Sequence, residues 1–172
     1  MNFTSKLNFI QKKGTIVDGQ EKMKLVIASD HAGFELKEKI REFLRLQKYT
    51  VEDCGAYSAA TANWAEFGAR AAAKVSADSE NTVGILICGS GIGMSIVANK
   101  FKNVRAALCH DEYDARMARS HNDANILALG ARVVDTEKAL QIVHVFLHTA
   151  FEGGRHQVRL DYLRNDVENK IF

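Results

Sequence analysis

Cys88 and the glycines that follow it are the residues of this chain best suited to chemistry. Cys88 ends an apolar run, and Gly89, Ser90, Gly91 and Gly93 follow it at the predicted start of a helix. Closely spaced glycines let backbone N–H groups converge on an anion, and a helix N-terminus adds about half a positive charge. The segment therefore predicts an oxyanion or phosphate cradle. A tight strand-to-helix turn with no ligand is the plainer alternative.

Two nucleotide-binding interpretations of this segment fit less well. Asp111 lies at a suitable distance to hold a ribose, but the third glycine of a GxGxxG motif would fall on Met94. A P-loop is excluded because no Gly-Lys-Ser/Thr follows the glycines. We therefore favour the anion cradle over a dinucleotide site.

The cysteines indicate both a candidate base and a compartment. A helix N-terminus favours the thiolate form of a cysteine, so Cys88 could act as a base, although an inert core cysteine is the alternative. Cys54 and Cys109 stand at the ends of apolar strands and are expected to be core residues. Three cysteines without CxxC spacing favour a reducing compartment, and we expect a cytoplasmic protein.

Polar side chains also follow the first apolar strand and precede the last one. Asp30 and His31 come directly after the first strand, where they could bind a ligand or simply cap the next helix. The segment 120–125 carries His121 and Asn122 in an unusually polar connection, and an N-cap cluster is the alternative interpretation. Both segments are therefore candidates for binding or catalysis.

Two pairs of residues near the C-terminus have helical spacing. Arg155 and Arg159 share one helical face, which suits a phosphate group, or else a solvated face with ion pairs. His144 and His148 lack the glutamate of an HExxH motif and are interpreted as structural. No segment offers a convincing set of metal ligands, so we expect a protein without a metal or other cofactor.

The elements that must position these residues alternate along the chain. Apolar runs predict five strands: Lys24–Ser29, Tyr49–Asp53, Val83–Ile87, Arg105–Leu108 and Ile126–Leu129. Periodic segments predict helices between them: about 33–47, 64–75, 92–100, one opened by Asp111, and two more at the end of the chain.

This alternation predicts an α/β fold, a single doubly wound three-layer αβα domain with a five-stranded parallel sheet, which is Rossmann-like. Ligands of such sheets bind at the carboxyl ends of the strands. We therefore expect the base, the oxyanion hole and the acid to meet at that end of the sheet.

Composition limits the partners and the domain count. The 172 residues fit one domain, predicted at 23–172, preceded by an N-terminal extension over 1–22. A formal charge of +2, from 23 basic and 21 acidic residues, gives no strong field for nucleic acid. No apolar stretch approaches the ~20 residues that a membrane-spanning helix needs. We expect neither a nucleic-acid nor a membrane partner.

Taken together, these segments resemble the type B ribose-5-phosphate isomerases and the related galactose-6-phosphate isomerase subunits. The similarity extends from about residue 23 to residue 159 in the order and spacing of that family. The matching stretches are 29–34 with 36–37, 84–93, 98–101, 105–106, 121–125, 130–134 and 151–156.

The resemblance implies an aldose–ketose isomerase of sugar phosphates that uses neither metal nor nucleotide. It also implies a homodimer, which can pair into a tetramer, with the active site in a cleft between subunits. Cys88 would abstract the proton next to the carbonyl, with Ser90 assisting. The backbone amides that would stabilise the enediolate belong to Gly89, Gly91 and Gly93.

The resemblance assigns roles to the remaining polar residues as well. His121 would open the sugar ring, Asp30 would assist proton transfer to and from the oxygens, and Asn122 would position the intermediate. The phosphate would be held by four basic residues, some of them from the partner chain: His31, Arg132, Arg155 and Arg159.

One departure from the family bears on the substrate. Many members have an Asp-Tyr-Pro-like segment where this chain has Asn63-Trp64-Ala65, in a loop that borders the sugar site. We expect ribose 5-phosphate as the substrate, with galactose 6-phosphate, allose 6-phosphate or a tetrulose phosphate as alternatives. A phosphosugar-binding module without turnover is a further alternative, and a dinucleotide oxidoreductase ranks third.

Overall fold

The central sheet has the predicted five parallel strands. In the computed structural model, which describes residues 23–169, the strands are β1 (Lys24–Ser29), β2 (Val51–Asp53), β3 (Thr82–Cys88), β4 (Ala106–Leu108) and β5 (Ile126–Gly130). Their order is β2-β1-β3-β5-β4, and every neighbouring pair is parallel. The predicted extension over 1–22 lies outside the described residues.

Helices connect the strands as predicted. They are α1 (Phe34–Leu46), α2 (Trp64–Ala77), α3 (Ile92–Ala98), α4 (Glu112–Asn122), α5 (Thr136–His148) and α6 (Arg155–Tyr162), which continues into a π-helical turn (Leu163–Glu168). The predicted cap of α4 is confirmed, because the Asp111 side chain accepts a hydrogen bond from the N–H of Asp114 at 2.9 Å. None of the helices in the described region is long and apolar enough to span a membrane.

The second strand is shorter at its start than predicted. Lys48 has a φ of 64°, and the N–H of Tyr49 donates to the carbonyl of Leu44 at 3.0 Å. These features are typical of a helix C-cap, in which a left-handed residue turns the chain back on the helix. Lys48 and Tyr49 therefore belong to the turn that caps the end of α1, and β2 begins at Val51.

Helices cover both faces of the sheet, which confirms the three-layer α/β fold. Alternate strand residues point to opposite faces. One face packs apolar residues of α1, α4 and α5 against strand residues that include Ile27, Ile85 and Leu127. The other packs α2 and α3 against residues that include Leu86 and Cys88. The Cys88 side chain therefore lies on the α2/α3 side of the sheet.

A buried lysine links α1 to the segment after β2. The Lys37 side chain is 0% exposed, and its ammonium group donates to the carboxylate of Asp53 at 2.8 Å and to the carbonyl of Ala56 at 2.7 Å. Arg41 contacts the same carboxylate at 3.0 Å. The N–H of Ala56 in turn donates to the carbonyl of Ser29. Lys37 thus holds this segment against the carboxyl end of β1.

The strand order reverses direction at β1. The chain passes from β1 to β2 on one side and later to β3 on the other side of β1. The carboxyl ends of β1 and β3 therefore form the switch point at which doubly wound sheets bind ligands. Asp30 and His31 follow β1, and Cys88 ends β3, so the fold brings these three residues to that point.

Candidate active site

The turn after β3 holds the Cys88 thiol against backbone amides. Cys88 is buried, and the N–H of Gly91 donates to its sulfur at 3.1 Å. Gly91 has a φ of +79°, and a Cβ there would lie 2.5 Å from Leu108 and 2.9 Å from the backbone of Leu129. Only glycine fits this conformation and space without strain. The turn is therefore shaped so that an N–H group points at the sulfur.

Arg132 lies over the same turn. Its N–H donates to the carbonyl of Gly89 at 3.0 Å, and its guanidinium would lie 3.4 Å from a Cβ on Gly89. The side chains of Arg132 and Ser90 are exposed, and the Ser90 hydroxyl accepts from the N–H of Ile92 at 3.3 Å. An anion above Gly89 would meet both the amides of the turn and the charge of Arg132.

Asp30 and His31 border this turn at the end of β1. Asp30 is buried, and its Oδ1 accepts a hydrogen bond from the N–H of Gly33 at 3.0 Å, so it does cap the turn into α1. The N–H of Asp30 donates to the carbonyl of Ile87 at 3.1 Å. Nδ1 of the exposed His31 lies 3.3 Å from the backbone of Ala62. His31 thus contacts the loop that leads into α2.

An exposed apolar surface adjoins the cradle. The Trp64 ring lies close enough to Gly93 that a Cβ on this glycine would come within 2.9 Å of ring atoms. Ile92 and Ile96, one turn apart on α3, are 53% and 52% exposed, and Trp64 is 40% exposed. Exposed apolar side chains grouped in this way are typical of a contact surface.

The remaining predicted residues form a second group. The rings of His121 and His156 stack with centroids 4.1 Å apart and planes 9° apart. One carboxylate oxygen of Glu152 lies 3.8 Å from Nε2 of each ring. Arg155 Nε donates to His156 Nε2 at 3.3 Å, and an Arg159 guanidinium nitrogen lies 3.5 Å from His156 Nδ1. The structure thus brings His121 next to both predicted phosphate-binding arginines.

Burial lowers the pKa of His156 below its ordinary value, and the neighbouring His121, Arg155 and Arg159 lower it further. The imidazole of His156 is therefore neutral at neutral pH. Glu152 acts in the opposite direction but is more than half exposed.

His121, Glu152 and His156 have the composition of a metal site, and their potential ligand atoms lie within 4.8 Å of one another. The surroundings do not suit a cation. Both ring nitrogens of His156 face arginine nitrogens at 3.3 and 3.5 Å, and the two guanidinium charges would repel a divalent ion. We therefore interpret the group as an anion-facing cluster.

The two groups lie at opposite ends of the sheet, so within a single chain Cys88, the glycine turn and Asp30 meet at the carboxyl end, whereas His121 lies at the amino end. The N–H of Gly84, near the start of β3, donates to the carbonyl of Asn125, whereas Cys88 ends β3. Four residues of strand separate these points by about 13 Å. His121 precedes Asn125 at the last turn of α4, which runs back from the carboxyl end to the amino end of the sheet.

Asn122 also lies at the amino end. It is exposed and borders a groove of about 540 Å³ whose lining includes Phe101, Arg105 and Leu160 but not Cys88. Asn122 is therefore placed with His121 and not with the cradle.

The other two cysteines are core residues, as expected. Cys54 and Cys109 are buried, and all three cysteines are free thiols. Burial raises the pKa of the Cys54 thiol and raises that of Cys109 to about 12, with nearby carboxylates adding to both shifts. Neither thiol is suited to act as a base at neutral pH.

Glu152 and His156 are neighbours of the site to which the sequence analysis gave no role. The i, i+4 spacing of these two residues was a usable signal for their contact. No sequence pattern predicted that these two residues contact His121, because this contact depends on how the segment between α5 and α6 folds back. A hydrogen bond from the N–H of Glu152 to the carbonyl of Ser120 at 3.0 Å makes that connection.

The fold and the site define an α/β protein with a glycine-rich turn beside a buried thiol, and comparison with known proteins identifies its family. A model of the ribose/galactose isomerase family matches residues 25–163. Ribose-5-phosphate isomerase B of Escherichia coli is 43% identical over 138 residues, which are 80% of this chain and 92% of that protein. The chain belongs to the ribose/galactose isomerase family.

Solved structures agree with this assignment. Ribose-5-phosphate isomerase B of Clostridium thermocellum is 45% identical with a TM-score of 0.84, over 87% of this chain and 100% of that one. The enzyme of Mycoplasma genitalium, whose structure contains bound ribulose-5-phosphate, is 40% identical with a TM-score of 0.83, over 89% of this chain and 100% of that one.

Proposed function

We propose that this chain interconverts ribose 5-phosphate and ribulose 5-phosphate through an enediolate intermediate. The observation that carries the proposal is the Cys88 sulfur, which accepts a hydrogen bond from the N–H of Gly91 inside the glycine turn. A thiolate held there has backbone amides next to it, as a base beside an oxyanion hole requires. The similarity to ribose-5-phosphate isomerase B of Escherichia coli and to the Mycoplasma genitalium enzyme with bound ribulose-5-phosphate supports this substrate.

The cradle side of the site would perform the proton transfer. The Cys88 thiolate takes the proton from C2 of the open-chain aldose, and the thiol returns it to C1, which gives the ketose. The negative charge that develops on oxygen faces the amides of Gly89, Gly91 and Gly93, with Ser90 as a further donor. Asp30 carries protons between the sugar oxygens in this proposal.

The second group would prepare the sugar and hold its phosphate. His121 opens the furanose ring by moving a proton between the ring oxygen and the anomeric hydroxyl, and Asn122 positions the intermediate. Arg155 and Arg159 lie next to His121, and this placement supports a phosphate held close to the ring-opening group. Arg132 and His31 would also hold the phosphate, from the cradle side.

The separation of the two groups supports a homodimer with shared active sites. A base and a ring-opening acid must both come within about 3 Å of one sugar, yet Cys88 and His121 stand at opposite ends of the sheet. In a twofold dimer the carboxyl end of one chain can face the amino end of its partner. The exposed Trp64, Ile92 and Ile96 would be covered at such an interface, and pairs of dimers could form a tetramer.

The proposal includes neither a metal nor an organic cofactor, because the cradle amides can stabilise the enediolate themselves. Activity should therefore be unchanged after treatment with EDTA. Loss of activity that a divalent ion restores would contradict this part of the proposal. A cytoplasmic location is also proposed, since it agrees with three free cysteines.

The test of the function is turnover of a panel of sugar phosphates by the purified chain. Ribose 5-phosphate should give the highest kcat/KM, against allose 6-phosphate, galactose 6-phosphate and erythrulose 4-phosphate. A higher value for another sugar would change the substrate but keep the reaction, and the loop around Trp64 would be the first place to explain it. Tight binding of all four without turnover would favour a binding module instead.

A further inference from the structure

Glu152 and His156 surround the imidazole of His121 at the amino end of the sheet. The two rings are stacked, and one oxygen of Glu152 lies 3.8 Å from Nε2 of each. The hydrogen bond from the N–H of Glu152 to the carbonyl of Ser120 fixes the backbone of Glu152 beside the last turn of α4. The carboxylate is therefore held where it can interact with either ring.

The environment of His156 determines which of the two rings can donate a hydrogen bond to the carboxylate of Glu152. Arg155 Nε donates to His156 Nε2, so this nitrogen acts as an acceptor and carries no proton. Burial and the neighbouring positive charges lower the pKa of His156, which keeps its ring neutral. The carboxylate of Glu152 consequently has no proton donor on His156, and Nε2 of His121 is its imidazole partner.

Asp123, the carboxylate that directly follows α4, has different partners. Asp123 contacts Arg105 at 2.8 Å and Arg119 at 3.3 Å, and these pairs tie the end of α4 to the start of β4. The charged groups that face the stacked rings from α6 are Arg155 and Arg159, both positive. Among these groups, Glu152 is the negatively charged one that lies close to the imidazole of His121.

We propose that Glu152 is a positioning residue that orients the imidazole of His121 and balances the positive charge this ring gains during ring opening. The proposal rests on the ring-opening role proposed above. A carboxylate does the same for the histidine of Ser-His-Asp triads, where it holds the ring and stabilises the imidazolium. Contacts of this kind are commonly long without substrate and shorten when it binds. The neutral ring of His156 favours protonation of His121 during ring opening, because a second positive ring in the stack would repel the charge on His121.

The test compares two activities of Glu152→Gln, a variant that keeps the shape and removes the charge. The first is kcat for ribose 5-phosphate, which exists mainly as a ring. The second is exchange of solvent deuterium into C1 of ribulose 5-phosphate, an open-chain ketose that needs only the proton transfer at Cys88. We expect the first to fall about 5-fold, which corresponds to about 1 kcal/mol for a partly exposed charge pair. The second should stay within about twofold.

Two further variants make the result specific. Glu80→Gln, at an exposed glutamate in the turn before β3, should change neither activity. In a His121→Asn background, Glu152→Gln should have no additional effect, because a residue that acts through His121 loses its function with it. Equal losses in both activities, a full additional loss in the double variant, or no loss at all in Glu152→Gln would overturn the proposal.

The proposed function can fail separately from this inference. If His121→Asn lowers ring-dependent isomerisation and deuterium exchange by the same factor, the ring-opening role itself is wrong, and the role of Glu152 falls with it. If His121→Asn separates the two activities and Glu152→Gln does not, only the positioning role is refuted.

Discussion

Two inactive variants of this chain should restore activity when they are mixed. Cys88→Ser removes the proposed base at the carboxyl end of the sheet, and His121→Asn removes the proposed ring-opening group at the amino end. If each site combines Cys88 of one chain with His121 of the other, a mixed dimer has one site with both defects and one site with none. A single-chain site could not be repaired in this way.

The size of the effect follows from the geometry of a twofold dimer. When the two variants reassociate at random in equal amounts, about half of the dimers are mixed, and one of the two sites in each is intact. The mixture should therefore show about a quarter of the wild-type kcat per site. The separation of about 13 Å along β3 makes any contribution from a single chain negligible, since catalytic groups must lie within about 3 Å of the atoms they serve.

The assay uses differently tagged variants that are unfolded and refolded together, with dual-tag capture to isolate the mixed dimers. The matched control mixes Cys88→Ser with Asp30→Asn, because both residues lie at the carboxyl end and each mixed site then retains a defect. This control should recover nothing. If captured Cys88/His121 mixed dimers are no more active than the separate variants, the two-chain site is refuted.

Four other changes test single parts of the molecule. Cys88→Ser should lower kcat at least ~10²-fold with little change in substrate binding, whereas Cys109→Ser should keep its turnover in the folded fraction. A near wild-type kcat in Cys88→Ser would exclude Cys88 as the base. Arg155→Ala should raise KM for ribose 5-phosphate about 10-fold through the loss of a charge-assisted hydrogen bond, and an unchanged KM would exclude it from the phosphate site. Lys37→Met should cost about 3 kcal/mol in urea unfolding, the low end for a broken buried pair because its carboxylate partner keeps an arginine; a cost near zero would contradict this. Burial and the adjacent His148 lower the pKa of His144, so the folded state favours the neutral ring. The protein therefore loses stability as the pH falls below about 6.5. His144→Gln should reduce the fall in Tm between about pH 7 and pH 5.

The fold was predictable because its signals are local. Unbroken apolar runs such as Val83–Ile87 are typical of strands buried on both faces, and the alternation with amphipathic helices leaves few topologies. The end of β2 nearest α1 was misplaced by two residues, because the left-handed conformation of Lys48 has no clear signature in a lysine. Buried Lys37 was equally hidden, since its partner Asp53 is distant in sequence and a lysine in a helix is ordinarily exposed.

The glycine turn beside Cys88 was predictable for the same reason. Gly89, Gly91 and Gly93 directly follow an apolar run, and the thiol of Cys88 is adjacent in sequence, so a short segment contains the whole motif. The contact of Arg132 with this turn could be anticipated from its place after β5, a neighbour of β3. The stack of His121 on His156 could not, because it depends on the path of the chain after α5.

The order of the elements also explains why one chain cannot complete the proposed site. In a parallel sheet every strand-to-helix connection lies at the carboxyl end and every helix-to-strand connection at the amino end. Cys88 belongs to the first kind and His121 to the second, whatever the lengths of the loops. Their separation is thus a property of the topology, and local rearrangement of side chains does not remove it. If both residues act on one sugar, the interface between chains is part of the catalytic machinery, and substitutions at Ile92 or Ile96 should affect catalysis through assembly.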